Sequence, residues 1–218
     1  MAILNEAKNE LYLKIVFVGP SGSGKTESFK ALYRETADKS SPPLSQQNSQ
    51  SNEDSILEFL PLAIGETEAH FLRLHLYTVS QYHCDSLLAP LLFKGVDGIV
   101  FTADARLHRI FANQKALEAV RRNLFYSKEN IDEIPMVTQL THCDSPQGLS
   151  VEEFKKIKTF KGYPVFPSYP KTGENVMKTL ERLVEIIIDK MRSPSEVTEQ
   201  SLKTSQLIQK PTLSTILQ

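Results

Sequence analysis

The chain has 218 residues, a formal net charge of −1 and 40% hydrophobic residues. This length suits one larger domain with a sizeable core plus a tail, and the balanced charge offers no field that would gather nucleic acid or an anionic membrane surface. The two cysteines, Cys84 and Cys143, exclude a disulfide framework, and with neither an apolar signal core nor a run of membrane-spanning length the expected compartment is the cytoplasm.

In chain order, Leu11–Val18 is nearly continuous in apolar residues after Lys14, the pattern of a central strand covered on both faces. Gly19-Pro20-Ser21-Gly22-Ser23-Gly24-Lys25-Thr26 follows at once and fills the GxxxxGK(S/T) pattern without a mismatch. A helix is predicted over Lys25–Thr36, so the motif sits at the strand-to-helix turn it requires. There the amides of Ser21, Gly22, Ser23 and Gly24 can turn inward around phosphate oxygens, and the helix, with Glu27 in its first turn, offers a positive N-terminus. Lys25 is expected to reach the outer phosphates and Thr26 to place its hydroxyl on a magnesium ion. A Gly/Ser-rich turn that merely joins two elements is the plain alternative. The motif speaks of phosphate and is silent about base and reaction.

From Asp38 to Asp54 the chain is polar and aperiodic, which predicts a loop. Ile56–Ala63 and Phe71–Val79 read as strands joined through Gly65-Glu66-Thr67-Glu68 in an antiparallel hairpin, with Leu72, Leu74 and Leu76 on one apolar face. Leu87–Phe93 predicts a short helix, Val96–Ala103 a buried strand, and Leu107–Phe125 a long helix whose apolar face takes in 107, 110, 111, 117, 120 and 124. Arg106, Arg109, Arg121 and Arg122 are expected on that helix's solvated face. Met136–Leu140 is the next strand, Asp144–Gly148 a loop, and Ser150 a helix cap with Glu153 three residues on. Pro164–Phe166 is a last short strand and Gly173–Met191 a terminal helix. Strands alternating with helices predict an α/β fold over 1–192: a doubly wound, mostly parallel sheet with one hairpin and ligand loops at the strand C-terminal ends. Residues 193–218 are expected to be a disordered tail, without a cysteine for a lipid anchor.

Phe59-Leu60-Pro61-Leu62, His75-Leu76-Tyr77-Thr78-Val79 and Lys94-Gly95-Val96-Asp97-Gly98-Ile99-Val100-Phe101 resemble the bacterial Ras-like GTPases of the MglA type, which govern cell polarity and gliding motility. The likeness runs from Leu11 to Lys190. It implies a guanine nucleotide, GTP or GDP, with Mg2+, slow intrinsic hydrolysis, and a roadblock-domain protein that stimulates it. It places Thr78 in the second switch, where other Ras relatives carry Asp. It also makes Thr141-His142-Cys143-Asp144 the base-reading loop in place of Asn-Lys-x-Asp, with Asp144 accepting from N1 and the exocyclic amine of guanine.

Several family motifs are altered here. Ser80-Gln81-Tyr82 stands where the family has Pro-Gly-Gln, so the water-orienting Gln becomes Tyr82 unless a one-residue gap restores it at Gln81. The first switch should offer Arg and Thr; the ungapped positions hold Glu53 and Asp54, Ser55 is the nearest hydroxyl, and no Arg lies between Arg34 and Arg73. An arginine finger is worth about 10³ to 10⁵ in rate, which makes this the weightiest departure. Loss of Asn and Lys from the base loop is expected to remove loop bracing and a stacking stem. The Ser-Ala-Lys loop matches only roughly at Ser168-Tyr169-Pro170-Lys171, where Pro170 lacks an amide. Asp144 can also be read as a turn cap. The repeated His-Cys-Asp triplets at 83–85 and 142–144 raise zinc or a Cys-His nucleophile, but adjacent extended side chains point apart and ordinary thiols are the simpler reading. Three functions fit: a Ras-type switch, a pseudo-GTPase interaction module, or a P-loop kinase or ATPase using Asp97 or Asp104.

Overall fold

The computed structural model of the protein describes residues 2–36, 45–47, 57–66, 71–79 and 89–191. In chain order the elements are Ile3–Asn5 (β1), Glu10–Val18 (β2), Lys25–Thr36 (α1), Ser45–Gln47 (β3), Leu57–Glu66 (β4) and Phe71–Val79 (β5). They continue with Ala89–Phe93 (α2), Gly98–Asp104 (β6), Ile110–Tyr126 (α3), Met136–Thr141 (β7), Val151–Lys155 (α4), Val165–Pro167 (β8) and Val176–Met191 (α5). Among the described residues the strands form one eight-stranded sheet in the order β3-β4-β5-β2-β6-β7-β8, with β1 on β2. β5 and β6 flank β2 in parallel, β7 and β8 continue that direction, and β4 is antiparallel to β5.

The apolar run of β2 serves two cores, as burial of both strand faces requires. Leu13, Ile15 and Phe17 pack with Phe29 and Leu32 of α1 and Leu180, Leu183 and Ile187 of α5. Val16 and Val18 face the other way, into Ile99 and Phe101 of β6 and Leu117, Val120 and Leu124 of α3. The hairpin strand β5 adds Leu72, Leu74 and Leu76 to the first core. The arrangement is the expected doubly wound sheet between helical layers.

Some boundaries differ for physical reasons. The polar stretch expected as a loop contains β3, which pairs antiparallel with β4 through Ser45↔Phe59 and Gln47↔Leu57; an edge strand needs backbone pairing and no apolar face. β4 runs through Glu66, past the expected turn start, with an irregularity in its pairing between Ala63 and Glu66. The long helix begins as a 3-10 turn at Leu107–Arg109, and Leu107 and Phe111 are 64% and 65% exposed. Its buried side is built from Ala116, Leu117, Val120 and Leu124, with Asn113 and Asn123, and Ile110 packs against the same core, so Leu107 and Phe111 belong to solvent while Ile110 keeps its expected place. Ser150 forms the expected capping box with Glu153. No helix among the described residues is long and apolar enough to cross a membrane.

Parallel strands deliver their C-terminal ends to one edge of the sheet, and ligand loops collect there. Gly19 follows β2, Thr78 lies near the end of β5, Arg106 follows β6, His142 follows β7 and Ser168 follows β8.

Candidate functional site

The turn after β2 can be built only with glycine at its critical positions. Gly19 has φ +149°, and a Cβ there would sit 2.1 Å from the Thr102 carbonyl oxygen. Gly24 has φ +92°, and its Cβ would press on Pro170 Cγ at 3.4 Å and Thr141 Cγ2 at 3.7 Å. The carbonyls from Gly19 to Gly24 are all engaged. Lys25, itself buried, donates from Nζ to Gly19 O and Pro20 O at 2.8 Å each. Arg109 Nη2 donates to Ser21 O, His142 Nε2 lies 3.1 Å from Gly22 O, and Thr141 Oγ1 donates to Ser23 O at 2.9 Å. Gly24 O accepts from the amide and hydroxyl of Ser28, both at 2.9 Å.

In a trans peptide the N–H points opposite the carbonyl, and no cis bond interrupts this turn. Side chains that hold the carbonyls of Ser21 and Ser23 therefore turn the amides of Gly22 and Gly24 away from themselves. The Ser23 amide instead closes the turn on Pro20 O at 3.3 Å. Two hydroxyls at this edge, Ser23 Oγ and Thr78 Oγ1, are buried without a hydrogen-bond partner, a state that usually marks a missing polar group. Thr26 is exposed on the first turn of α1. Glu27 turns its carboxylate to Lys30 Nζ at 2.8 Å, so only its backbone belongs to the loop.

The base-loop residues correct one expectation. Loss of Asn and Lys does not unbrace the loop, because the Thr141 hydroxyl reaches Ser23 O and the His142 ring reaches Gly22 O. His142 manages this with a left-handed φ of +58° directly after β7. Asp144 is exposed, and among the described residues no amide donates to its carboxylate, which leaves the turn-cap reading without a contact. Burial, then the nearby Asp144 charge, pushes the Cys143 thiol up to about 11, which removes its value as a nucleophile near neutrality. Pro170 is buried beside Gly24, and the Ser168 amide is bonded to Leu140 O at 2.8 Å. Gln81, Tyr82, Glu53, Asp54, Ser55 and Cys84 lie outside the described residues, as does the expected tail.

A second correction concerns the basic residues. Arg121 and Arg122 are exposed on α3. Arg106 and Arg109, however, precede that helix and converge on Asp104, which is completely buried at the end of β6. Arg106 donates to it from Nε at 3.0 Å, from Nη2 at 2.6 Å and from the backbone at 3.1 Å. Arg109 Nε lies 3.4 Å from the same carboxylate. Burial works against ionisation of Asp104, yet the hydrogen bonds of Arg106, with the charges of His142 and Arg106, hold its carboxyl below the usual carboxylate range. Asp97 accepts the Lys14 amide at 2.8 Å at the opposite edge of the sheet. Neither aspartate is thus offered to the loop, and the kinase or ATPase reading loses its acid.

No family model matches the chain. It is 32% identical over 192 residues to the mutual gliding-motility protein MglA of Myxococcus xanthus (strain DK1622), a match that covers 88% of this chain and 98% of that protein. The chain belongs to the MglA-like family of Ras-type small GTPases. Within this MglA-like domain the loop after β2 and the segments after β6 and β7 form one unit. Sequence reasoning missed the β6 contribution because no motif contains Asp104 or Arg109. The available signal was a lone Asp ending an apolar strand, followed by two arginines: a buried acid needs a cation nearby.

Proposed function

We propose that the protein is a guanine-nucleotide-binding molecular switch of the cytoplasm that hydrolyses GTP slowly or only with a partner. The observation that supports it best is the outward anchoring of the loop carbonyls, which leaves backbone amides for a polyphosphate. Amides of Gly22, Gly24 and Lys25 bind phosphate oxygens, and the Lys25 ammonium neutralises the outer phosphates. The exposed Thr26 hydroxyl and the unpartnered Thr78 hydroxyl are the donors that fit magnesium or its waters. Magnesium, when bound, supplies charge neutralisation across the outer phosphates. Asp144 stands open to accept two hydrogen bonds from guanine, while Thr141 and His142 serve the loop and not the base. The relative's name points to gliding motility as the process, and cell polarity with a roadblock-domain regulator is the wider form of the same reading.

A second reading, an interaction module that binds nucleotide without turnover, is favoured by Tyr82 in the water-orienting position and by the lack of an Arg between Arg34 and Arg73. Two measurements decide. The nucleotide that co-purifies should be GDP or GTP, and Lys25→Ala should abolish magnesium-dependent binding in calorimetry. An adenine nucleotide, or unchanged affinity in Lys25→Ala, would refute the reading. Turnover that stays at background with an added roadblock protein would assign the interaction module.

A further inference from the structure

Of the side chains that hold the loop from outside, Arg109 belongs to no motif and lies in the turn before α3. Its neighbour Arg106 already gives Asp104 three hydrogen bonds. Two guanidiniums therefore share one buried carboxylate, and Arg109 Nε is itself buried without a hydrogen-bond partner. Neutralising Asp104 does not require Arg109. Its hydrogen bond is at the other end, where Nη2 donates to Ser21 O.

The next residue, Gly22, has φ +74°, and a Cβ built on it would meet nothing within 4 Å. Side-chain packing at that Cα does not fix the adjoining peptides. Hydrogen bonds do, from Arg109 on the Ser21 side and from His142 on the Gly22 carbonyl. We propose that Arg109, steadied by Asp104, is a positioning residue for phosphate: it holds the Ser21 carbonyl outward and so aims the Gly22 amide at the polyphosphate chain. Its surplus positive charge, unmatched by a carboxylate of its own, also favours an anion at the loop. This rests on the nucleotide-binding reading above.

The test compares wild type, Arg109→Ala and Arg109→Lys in stopped-flow release of fluorescent GDP and inosine diphosphate, beside thermal melts of the nucleotide-free proteins. Arg109→Ala should release both diphosphates faster by the same factor, roughly tenfold for a lost charge-assisted hydrogen bond. Arg109→Lys should recover part of that factor, and the nucleotide-free melts should coincide. Unchanged release in Arg109→Ala, a factor that differs between the two bases, or a lowered melting temperature that Arg109→Lys does not restore would overturn the proposal. If wild type takes up neither diphosphate, the nucleotide-binding reading fails with it; if wild type binds and Arg109→Ala behaves like it, only the positioning role fails.

Discussion

Thr141→Val keeps the side chain's shape and removes its hydroxyl, so it tests bracing of the loop without opening a cavity. Thr141 is 1% exposed, and its Oγ1 lies 2.9 Å from Ser23 O and 3.0 Å from Ala103 O. One proton serves one carbonyl at a time, so the variant strands a single buried acceptor. That costs about 1–3 kcal/mol, reduced by a few tenths through the better strand preference of valine. A net loss of about 0.7–2.7 kcal/mol lowers the melting temperature by roughly 2–10 °C for a chain of this size. Because the stranded acceptor lies in the phosphate loop, GDP release should quicken as well, about three- to tenfold. Thr141→Ser keeps the hydroxyl and should stay close to wild type in both measurements. A Thr141→Val protein that melts and releases GDP like wild type, or a Thr141→Ser protein as impaired as Thr141→Val, would refute the claim that this hydroxyl holds the loop.

Three more outcomes are expected. Gly19→Ala should yield little folded protein in a soluble-expression and circular-dichroism comparison, because its Cβ would meet the Thr102 carbonyl at 2.1 Å in a backbone conformation that alanine avoids; a normally folded variant would show that the turn can relax. In a Cys84→Ser background, Cys143, with its thiol pushed up to about 11, should react with iodoacetamide at pH 8 on the order of 10²-fold more slowly than an ordinary thiol, and labelling at the ordinary rate would contradict its burial. The Asp104 carboxyl is held below the usual range in the folded protein, so the stability it contributes is present near neutrality and is lost as pH falls below about 4. Urea midpoints measured against pH should therefore drop on the acid side for wild type and drop less for Asp104→Asn; parallel curves would count against the linkage.

The phosphate loop was legible because its information is local. Strand, glycines, lysine and helix are contiguous from Leu11 to Thr36, so the motif and the two elements that flank it are read from one short stretch. The same holds for the capping box at Ser150, and for β5, whose alternating leucines leave one choice of face. Leu107 and Phe111 misled because helical spacing gives a face without saying what covers it. β3 was invisible because a three-residue edge strand is chosen by its partner's free hydrogen bonds and not by its own side chains. The identity of the residues that brace the loop was likewise beyond the one-dimensional pattern. Thr141, His142 and Arg109 stand about a hundred positions from the carbonyls they hold, and only the parallel register of β2, β6 and β7 carries them to the same edge. The sequence by itself determined that a GxxxxGK(S/T) turn joins β2 to α1 and where its backbone must bend. Tertiary structure alone decided which side chains hold that turn, because a hydrogen bond depends on distance in space and is indifferent to separation along the chain.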